Sequence, residues 1–203
     1  MMVKKFGKLY LAAAICLSLS ACAETPVSRA LGLDPGVGAQ AGPSGRSVDV
    51  SRDFSVYLTG YTYWDNTPPG SAAIARPVLR QQAGGTGTWQ SPITIAVGHS
   101  IVNGRQTLDY PAGTRFYLPR LRKYAIVEDV CGDGPAPQGG PCHTGHNGHP
   151  WLDIWLGGKT MTPQESDACA RRITAVQTAI INPPRDLPVH AGEIATGGCQ
   201  VFL

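Results

Sequence analysis

The sequence predicts a mainly β protein, a small barrel with one or two short helices, in a single folded domain. Three observations predict it. The 203 residues are 42% hydrophobic and 15% charged, a globular composition with enough apolar side chains for one core. The apolar runs are short, and glycine or proline separates them, as in a protein of many strands. One stretch alone carries clear helix signals.

Six segments concentrate apolar, aromatic and β-branched residues in the way that strands do. In chain order they are FSVYLTGYTYW (54–64), SPITIAVG (91–98), GTRFYLP (113–119), KYAIVEDVC (123–131), WLDIWLG (151–157) and AVQTAIIN (175–182). Turn-forming residues lie between them. Many short strands with little helix favour a closed barrel over a layered α/β fold.

The helix is predicted over TPQESDACARR, residues 162–172. Thr162 is a suitable N-cap, Pro163 stands at the first helical position, and Glu165 follows the cap by three residues. This combination is a capping box, which satisfies backbone N–H groups at the start of a helix.

Residues 1–21 predict a secretory signal peptide, in which basic MMVKKFGK precedes apolar LYLAAAICLSL. The apolar run is too short to span a bilayer. The junction LSAC resembles the bacterial lipobox, which implies that Cys22 is acylated, as by palmitate, and begins the mature protein. An ordinary signal peptide with an incidental cysteine is the alternative. Ala23, where an aspartate is absent, implies an outer-membrane lipoprotein facing the periplasm.

Residues 22–51 predict a flexible, lipid-anchored tether, because they are rich in Pro, Gly, Ala and Ser and show no sustained hydrophobic period. Such a chain reaches roughly 30 Å. The folded barrel domain is expected over residues 52–203.

The charge balance argues against nucleic acid as a partner. Lys4, Lys5 and Lys8 are three of the 17 basic residues, and the other 14 match the 14 acidic ones. The mature protein therefore lacks the basic patch that nucleic acid or an anionic membrane surface requires. We expect contact with the membrane only through the lipid anchor, and we expect no cofactor.

Four cysteines remain after the signal peptide and the lipidated residue are removed, namely Cys131, Cys142, Cys169 and Cys199. An even number in an oxidising compartment predicts two disulfides. Three pairings are open, and we favour Cys131 with Cys142 and Cys169 with Cys199. The first closes a short loop, and the second holds the C-terminal tail.

The segment WLDIW places a carboxylate between two tryptophans. Side chains alternate across a strand, so Leu152 and Ile154 share one face while Trp151, Asp153 and Trp155 share the other. If the leucine face fills the barrel, Asp153 points outward between two indole rings. Aromatic rings beside a carboxylate suit carbohydrate. The alternative is that the tryptophans cover the barrel and Asp153 bonds a loop.

A second stretch, YTYWDN, provides further aromatic residues beside a carboxylate, with Tyr61, Tyr63 and Trp64 preceding Asp65. Paired carboxylates are the basic equipment for glycoside hydrolysis, because one protonates the leaving oxygen while the other activates water or stabilises positive charge. Asp65 has an equally good interpretation as a turn former before Pro-Pro-Gly.

The pieces YWDN, PPGSAAIA, GGTGTW, PAGTRFYLPRLRKYAIVEDVC and LDIWLGG occur in the order found in secreted double-psi β-barrels. The chain resembles rare lipoprotein A-like proteins, expansins, endoglucanase V-type hydrolases and the three-aspartate domain of membrane-bound lytic transglycosylase A. The layout is most similar to secreted fungal barrel proteins. The resemblance implies a six-stranded double-psi barrel. It leaves the activity open, because that superfamily includes hydrolases, lytic transglycosylases, wall-loosening proteins and protease inhibitors.

The same resemblance implies roles for three aspartates. Asp153 matches the general acid of the hydrolases, Asp65 looks like the endoglucanase base, and Asp129 occupies the position of an aspartate in the three-aspartate domain. The aromatic and histidine candidates for substrate binding are Tyr61, Tyr63, Trp64, His149, Trp151 and Trp155.

Three histidines, His143, His146 and His149, are spaced by three in a glycine-rich loop. Three imidazoles and a water are a known zinc geometry. Zinc ligands usually sit on rigid elements, so we favour hydrogen-bonding histidines without a metal. His149 is expected to line the sugar site, because it precedes Asp153 by four residues.

Three functions therefore stand as hypotheses. The first is an enzyme, a glycosidase or lytic transglycosylase, that binds and cleaves cell-envelope polysaccharide of the peptidoglycan type. The second is a glycan-binding module without catalysis. The third is a protein-binding, inhibitor-like barrel whose unknown protein partner contacts loops such as residues 81–87.

Overall fold

A computed structural model describes residues 50–203 of the chain. The predicted signal peptide, Cys22 and nearly all of the predicted tether lie outside the described residues. None of the helices formed by residues 50–203 has the length and apolar character needed to cross a membrane.

The described part is mainly β and contains eight strands and two short α-helices. The strands are β1 Arg52–Tyr61, β2 Ile93–Val97, β3 His99–Val102, β4 Arg105–Leu108, β5 Arg115–Leu118, β6 Lys123–Val130, β7 Trp151–Trp155 and β8 Ala175–Ile181. The helices are α1 Pro141–Thr144 and α2 Pro163–Ile173, and a single 3-10 turn covers Pro137–Gly139.

Six strands close into a barrel in the order β1-β7-β2-β6-β5-β8. β1 pairs parallel with β7 and β2 pairs parallel with β6, whereas the other neighbours are antiparallel. Closure leaves none of these strands with an unpaired edge. The predicted mainly β barrel of six strands with short helices is confirmed, and each of the six predicted segments contributes one of its strands.

A hairpin of β3 and β4 stands apart from the barrel and was not predicted. Asn103 and Gly104 form the two-residue turn of this hairpin, and both have positive φ, 51° and 74°. Asn-Gly is the strongest short signal for such a hairpin turn. The flanking residues are too polar to read as strands from hydrophobic pattern alone.

The barrel interior is filled by one face of each strand. Leu58, Leu152 and Ile154 are fully buried, as are Phe116 and Val127. The predicted alternation along β7 is therefore confirmed on its inner side. Its outer side carries the residues of the candidate site.

The predicted helix begins as expected. The Thr162 hydroxyl accepts a hydrogen bond from the Glu165 backbone N–H at 3.2 Å, and the Glu165 carboxylate accepts one from the Thr162 backbone N–H at 2.8 Å. Pro163 occupies the first turn. The capping box is confirmed.

Both favoured disulfides are present. Cys131 bonds Cys142, with Cα atoms 5.7 Å apart, and Cys169 bonds Cys199, with Cα atoms 5.5 Å apart. The first joins the end of β6 to α1. The second ties α2 to the C-terminal segment.

Candidate functional site

A cavity of about 350 Å³ on the outside of the barrel contains all three aspartates singled out in the sequence. Asp65, Asp129 and Asp153 line it together with Tyr61 and a fourth acidic residue, Asp133. We call it the central cavity. It lies where β7, β2 and β6 run side by side.

Asp153 is held by a short hydrogen-bond chain. It faces Thr59 across the parallel pair of β7 and β1, and the Thr59 hydroxyl donates to Asp153 Oδ1 at 2.6 Å. The Trp151 indole N–H in turn donates to Thr59 Oγ1 at 2.7 Å. Because the hydroxyl accepts from Trp151, its own proton is directed at Asp153. Oδ1 is thus an acceptor, and the proton of a neutral Asp153 belongs on Oδ2.

Burial is the main cause that raises the pKa of Asp153 to about 7, with smaller contributions from the carboxylates of Asp65 and Asp129, and the hydrogen bond from Thr59 opposes the change. A carboxyl group with this pKa is close to half protonated at neutral pH. It can donate a proton and take it back, which is the behaviour required of a general acid.

A β-bulge puts Asp129 on the same side as Asp153. On β2, Ile95 pairs with Val127 of β6, but the next residue, Ala96, pairs with Asp129, so that Glu128 has no partner. In an unbulged strand Asp129 would share the inward face of Val127. The extra residue turns Asp129 outward into the central cavity.

Ala96 separates the two carboxylates. It is the register partner of Asp153 on one side and of Asp129 on the other. Two strand spacings put the Cα atoms of the aspartates about 10 Å apart. The alanine methyl group between them leaves space that a larger side chain would fill, and Ala96 itself lines the cavity.

Asp129 is almost fully occupied by the protein. Its Oδ1 accepts from the backbone N–H groups of Ala75 and Val130, at 3.0 and 2.9 Å, and its Oδ2 accepts from the Tyr61 hydroxyl at 2.9 Å. Burial raises its pKa although these three hydrogen bonds oppose the change. Asp129 therefore fixes the loop at Ala75 and orients Tyr61.

Asp65 forms a turn and also lines the central cavity, so both interpretations of this residue from the sequence have a structural counterpart. Its Oδ1 accepts from the Thr62 backbone N–H and hydroxyl, each at 2.6 Å, which forms a turn. β1 consequently ends at Tyr61, three residues earlier than the apolar pattern predicts. The exposed carboxylate also lines the central cavity.

The aromatic candidates divide between different places. Tyr61 lines the central cavity, with Trp155 packed edge-on against its ring at 5.2 Å. Trp155 is only 5% exposed. With Tyr63 it lines a second depression of about 640 Å³, which we call the Trp155 depression, and Ala73 lines both this depression and the central cavity.

Trp151 and His149 line a third depression of about 360 Å³, which we call the Trp151 depression. Trp64 lines none of the three. Its indole N–H donates to the carbonyl oxygens of Gly158 and Met161, at 3.1 and 3.0 Å, so its ring is held on the turn after β7.

The three histidines have three different surroundings. His143 Nδ1 lies 2.6 Å from Asp109 Oδ1, while His146 stacks on Tyr57 with ring centroids 4.1 Å apart. His149 joins His146 by two backbone hydrogen bonds. Among residues 50–203, no group of three or more His, Cys, Asp or Glu side chains is arranged to hold a metal ion.

Sequence reasoning missed three polar residues at or near the site. Thr59 lies within a predicted strand, but its partner on β7 depends on a parallel pairing between residues far apart in sequence. Asp133 and Asp109 sit in turns, where acidic residues are common and carry no signal of their own. The one available signal is that Asp133, between two glycines, follows the strand of Asp129 by a few residues and can therefore lie near Asp129.

Comparison with known proteins gives one family and one relative. Residues 53–200 match the model of the DDB_G0273701 N-terminal domain. The uncharacterized Dictyostelium discoideum protein DDB_G0273701/DDB_G0273221 is 33% identical over 140 residues, which are 68% of this chain and 54% of that protein. The chain thus spans about half the length of the curated relative it matches. No solved structure matches it.

Proposed function

The chain belongs to the family of the DDB_G0273701 N-terminal domain, and for its barrel we propose binding of cell-envelope polysaccharide, with Asp153 as general acid for cleavage of the glycan. The observation that carries this proposal is the Asp153 carboxyl group, which has a pKa near 7 and its proton-bearing oxygen left free of Thr59. It stands in an open cavity with further acidic and phenolic groups around it.

The chemistry that fits the site uses one carboxyl group. Asp153 donates its proton to the glycosidic oxygen as the C1–O bond breaks, and its carboxylate then accepts a proton from the attacking hydroxyl group. Asp129 is held by three hydrogen bonds from the protein, and Asp65 by two. A lytic transglycosylase reaction, in which a hydroxyl of the same sugar attacks C1, requires no second base.

The finer fold and the location are part of the proposal. We assign the barrel to the double-psi class, which the sequence order of its segments and its two parallel strand pairs support. We also propose that the protein is an exported lipoprotein, anchored through Cys22 to the outer membrane and facing the periplasm. The signal-like and lipobox-like sequences support this location.

A second candidate is a glycan-binding module without catalysis. The saturation of Asp129 by hydrogen bonds favours it, because it removes one of the cavity's carboxylates from direct contact with substrate. Under this proposal Asp153 is a hydrogen-bonding group for sugar hydroxyls.

The test is a digest of peptidoglycan glycan strands from which an amidase has removed the peptides. Purified wild-type protein, Asp153→Asn and the matched control Asp167→Asn, an exposed charge on α2, are compared by mass spectrometry of the products. We expect fragments from the wild type and Asp167→Asn, and at least a hundredfold less from Asp153→Asn, about the contribution of general acid catalysis.

Equal cleavage by Asp153→Asn would contradict the role of that residue. Absence of fragments, with the wild type still pelleting with the glycan, would establish the binding module instead. If the wild type neither cleaves nor binds the glycan, both candidates are wrong.

A further inference from the structure

The Trp151 depression contains an acid–histidine pair that the proposed reaction does not use. Asp109 and His143 both line it, beside Trp151, Tyr110 and His149. Its volume is about 360 Å³, close to the 350 Å³ of the central cavity.

The pair is built from separate parts of the chain. Asp109 follows β4, and its backbone N–H donates to the Gly98 carbonyl at 2.9 Å. His143 lies on α1, next to Cys142, which the disulfide to Cys131 holds in place. A side chain at position 98 would collide with the Asp109 carboxylate and the Cys142 carbonyl, so the absence of one lets them pack together.

The pair remains accessible to a ligand. The Asp109 and His143 side chains are 25% and 34% exposed, although their nearest atoms are 2.6 Å apart. The contact uses Nδ1 of the ring, and Nε2 has no hydrogen-bond partner among residues 50–203. The histidine thus has one fixed nitrogen and one free nitrogen, which can accept from a hydroxyl group or, when protonated, donate to one.

The walls around the pair are aromatic. Trp151 and Tyr110 line the same depression, and the rings of Tyr57 and His146 lie edge-on to Trp151 with centroids 4.7 and 6.2 Å away. Apolar ring faces with a few fixed polar groups are the combination that binds a pyranose, whose C–H groups contact rings while its hydroxyls need hydrogen bonds.

The Trp151 depression is also next to the reacting group. Trp151 and Asp153 lie on the same outer face of β7, two residues apart, which is about 6.6 Å along a strand. The Trp151 indole N–H reaches Asp153 through the Thr59 hydroxyl. A glycan in the central cavity that continues along β7 therefore meets the Asp109–His143 pair with its next sugar units.

We infer that the Trp151 depression is a second glycan subsite, in which His143, oriented by Asp109, binds a sugar hydroxyl while Trp151 stacks against the ring. This inference rests on the proposed function and specifies it, because the bound polymer then extends past Asp153 along β7.

The inference is tested by the dependence of affinity on ligand length. Dissociation constants are measured by calorimetry for chito-oligosaccharides of two and six units, with wild type, Asp109→Asn, His143→Gln and the control His190→Gln. His190 is a histidine on the C-terminal segment, packed against Phe202. We expect His143→Gln and Asp109→Asn to weaken hexamer binding about tenfold, the value of one hydrogen bond, and to leave dimer binding unchanged.

Hexamer binding by both variants with wild-type affinity would overturn the inference, as would an equal loss for dimer and hexamer. If wild type binds neither chito-oligosaccharide although Asp153 proves catalytic in the digest, the chito-oligosaccharides are the wrong glycan. The same variants are in that case compared on the peptide-free glycan strands. Equal affinities of wild type, Asp109→Asn and His143→Gln for these strands would again overturn the inference. Lack of any glycan binding or cleavage by wild type instead removes the proposed function itself. Asp109→Asn is checked by thermal unfolding, and His143→Gln, on an exposed helix, provides the test if Asp109→Asn fails to fold.

Discussion

The Thr59 hydroxyl decides which oxygen of Asp153 carries the proton. It receives the Trp151 indole N–H and donates to Oδ1, so that neutral Asp153 holds its proton on Oδ2. A general acid must present its proton to the leaving oxygen, and a hydroxyl that rotated freely would not select one oxygen. In the proposed reaction, two residues outside the central cavity, Thr59 and Trp151, thus determine which oxygen of Asp153 donates the proton.

The raised pKa of Asp153 predicts a specific pH dependence of stability. In the unfolded chain an aspartate has a pKa of about 3.9, whereas in the fold burial raises that of Asp153 to about 7. Between these values the native state holds a proton that the unfolded state has lost, so the stability contributed by Asp153 is complete below pH 4 and is lost as the pH rises to 7.

Asp153→Asn removes this dependence. We expect the stability of the variant relative to wild type to increase by on the order of 3 kcal/mol between pH 4 and pH 7.5. Urea unfolding of both proteins at several pH values measures it. A difference that stays constant with pH would show that the Asp153 carboxyl titrates normally.

Sequence alone identified Asp153 correctly as an outward residue but could not place Asp129. Strict alternation through KYAIVEDV puts Asp129 on the same face as Val127, inside the barrel. The bulge that reverses it leaves no mark in hydrophobic pattern, because Glu128 is itself buried and polar. The pKa of Asp153 was equally out of reach, since it depends on burial and on neighbours from two other strands and a turn, namely Thr59, Asp129 and Asp65.

At the scale of elements, the bulge residue Glu128 organises the loop beside the central cavity. Its Oε1 accepts from the backbone N–H groups of Val78, Leu79 and Arg80, and its Oε2 lies 3.4 Å from the Arg80 guanidinium and 3.1 Å from the Thr94 hydroxyl. The carboxylate is completely buried. The loop therefore has one fixed conformation, in which the Val78 and Leu79 side chains are exposed.

Removing this carboxylate should release the loop. Glu128→Ala leaves buried N–H groups and the Arg80 guanidinium without an acceptor, so we expect a loss of about 3 to 5 kcal/mol in the free energy of unfolding. Glu165→Ala at the exposed start of α2 is the control, with a clearly smaller expected loss from removal of its capping hydrogen bond. Both are measured by urea denaturation, and a loss at Glu128 no larger than at Glu165 would contradict the organising role.

The strands of the barrel were predictable because each is a compact apolar run between turn residues. The order in which they pair was not, since the parallel contacts of β1 with β7 and of β2 with β6 join segments far apart in the chain. The β3–β4 hairpin was missed because its side chains are largely exposed, although its Asn-Gly turn could have indicated it.

At the scale of the whole molecule, the two disulfides attach segments that lie outside the barrel strands, α1 and the C-terminal segment. One holds α1, which carries His143, to the end of β6, and the other holds the C-terminal segment to α2. A crosslink stabilises chiefly by restricting the unfolded chain, and the effect grows with the length of the closed loop.

The two disulfides should therefore contribute differently to the free energy of unfolding. Their sequence separations are 30 residues for Cys169–Cys199 and 11 for Cys131–Cys142. We expect the double serine variants to lose about 3.5 and about 3 kcal/mol of stability respectively. Urea denaturation of the two variants measures this, and only the Cys131/Cys142 variant is expected to weaken hexamer binding as well. Equal effects of both variants on binding would argue against a specific role of α1.

The two faces of β7 carry different kinds of residues. Leu152 and Ile154 point into the barrel, whereas Trp151 and Asp153, the two residues proposed to contact a ligand, point out of it. Substitution of Trp151 or Asp153 therefore replaces no side chain that points into the barrel. Under the proposed function, exchange of these two outer side chains would change the ligand or remove the acid and would keep every residue that fills the barrel.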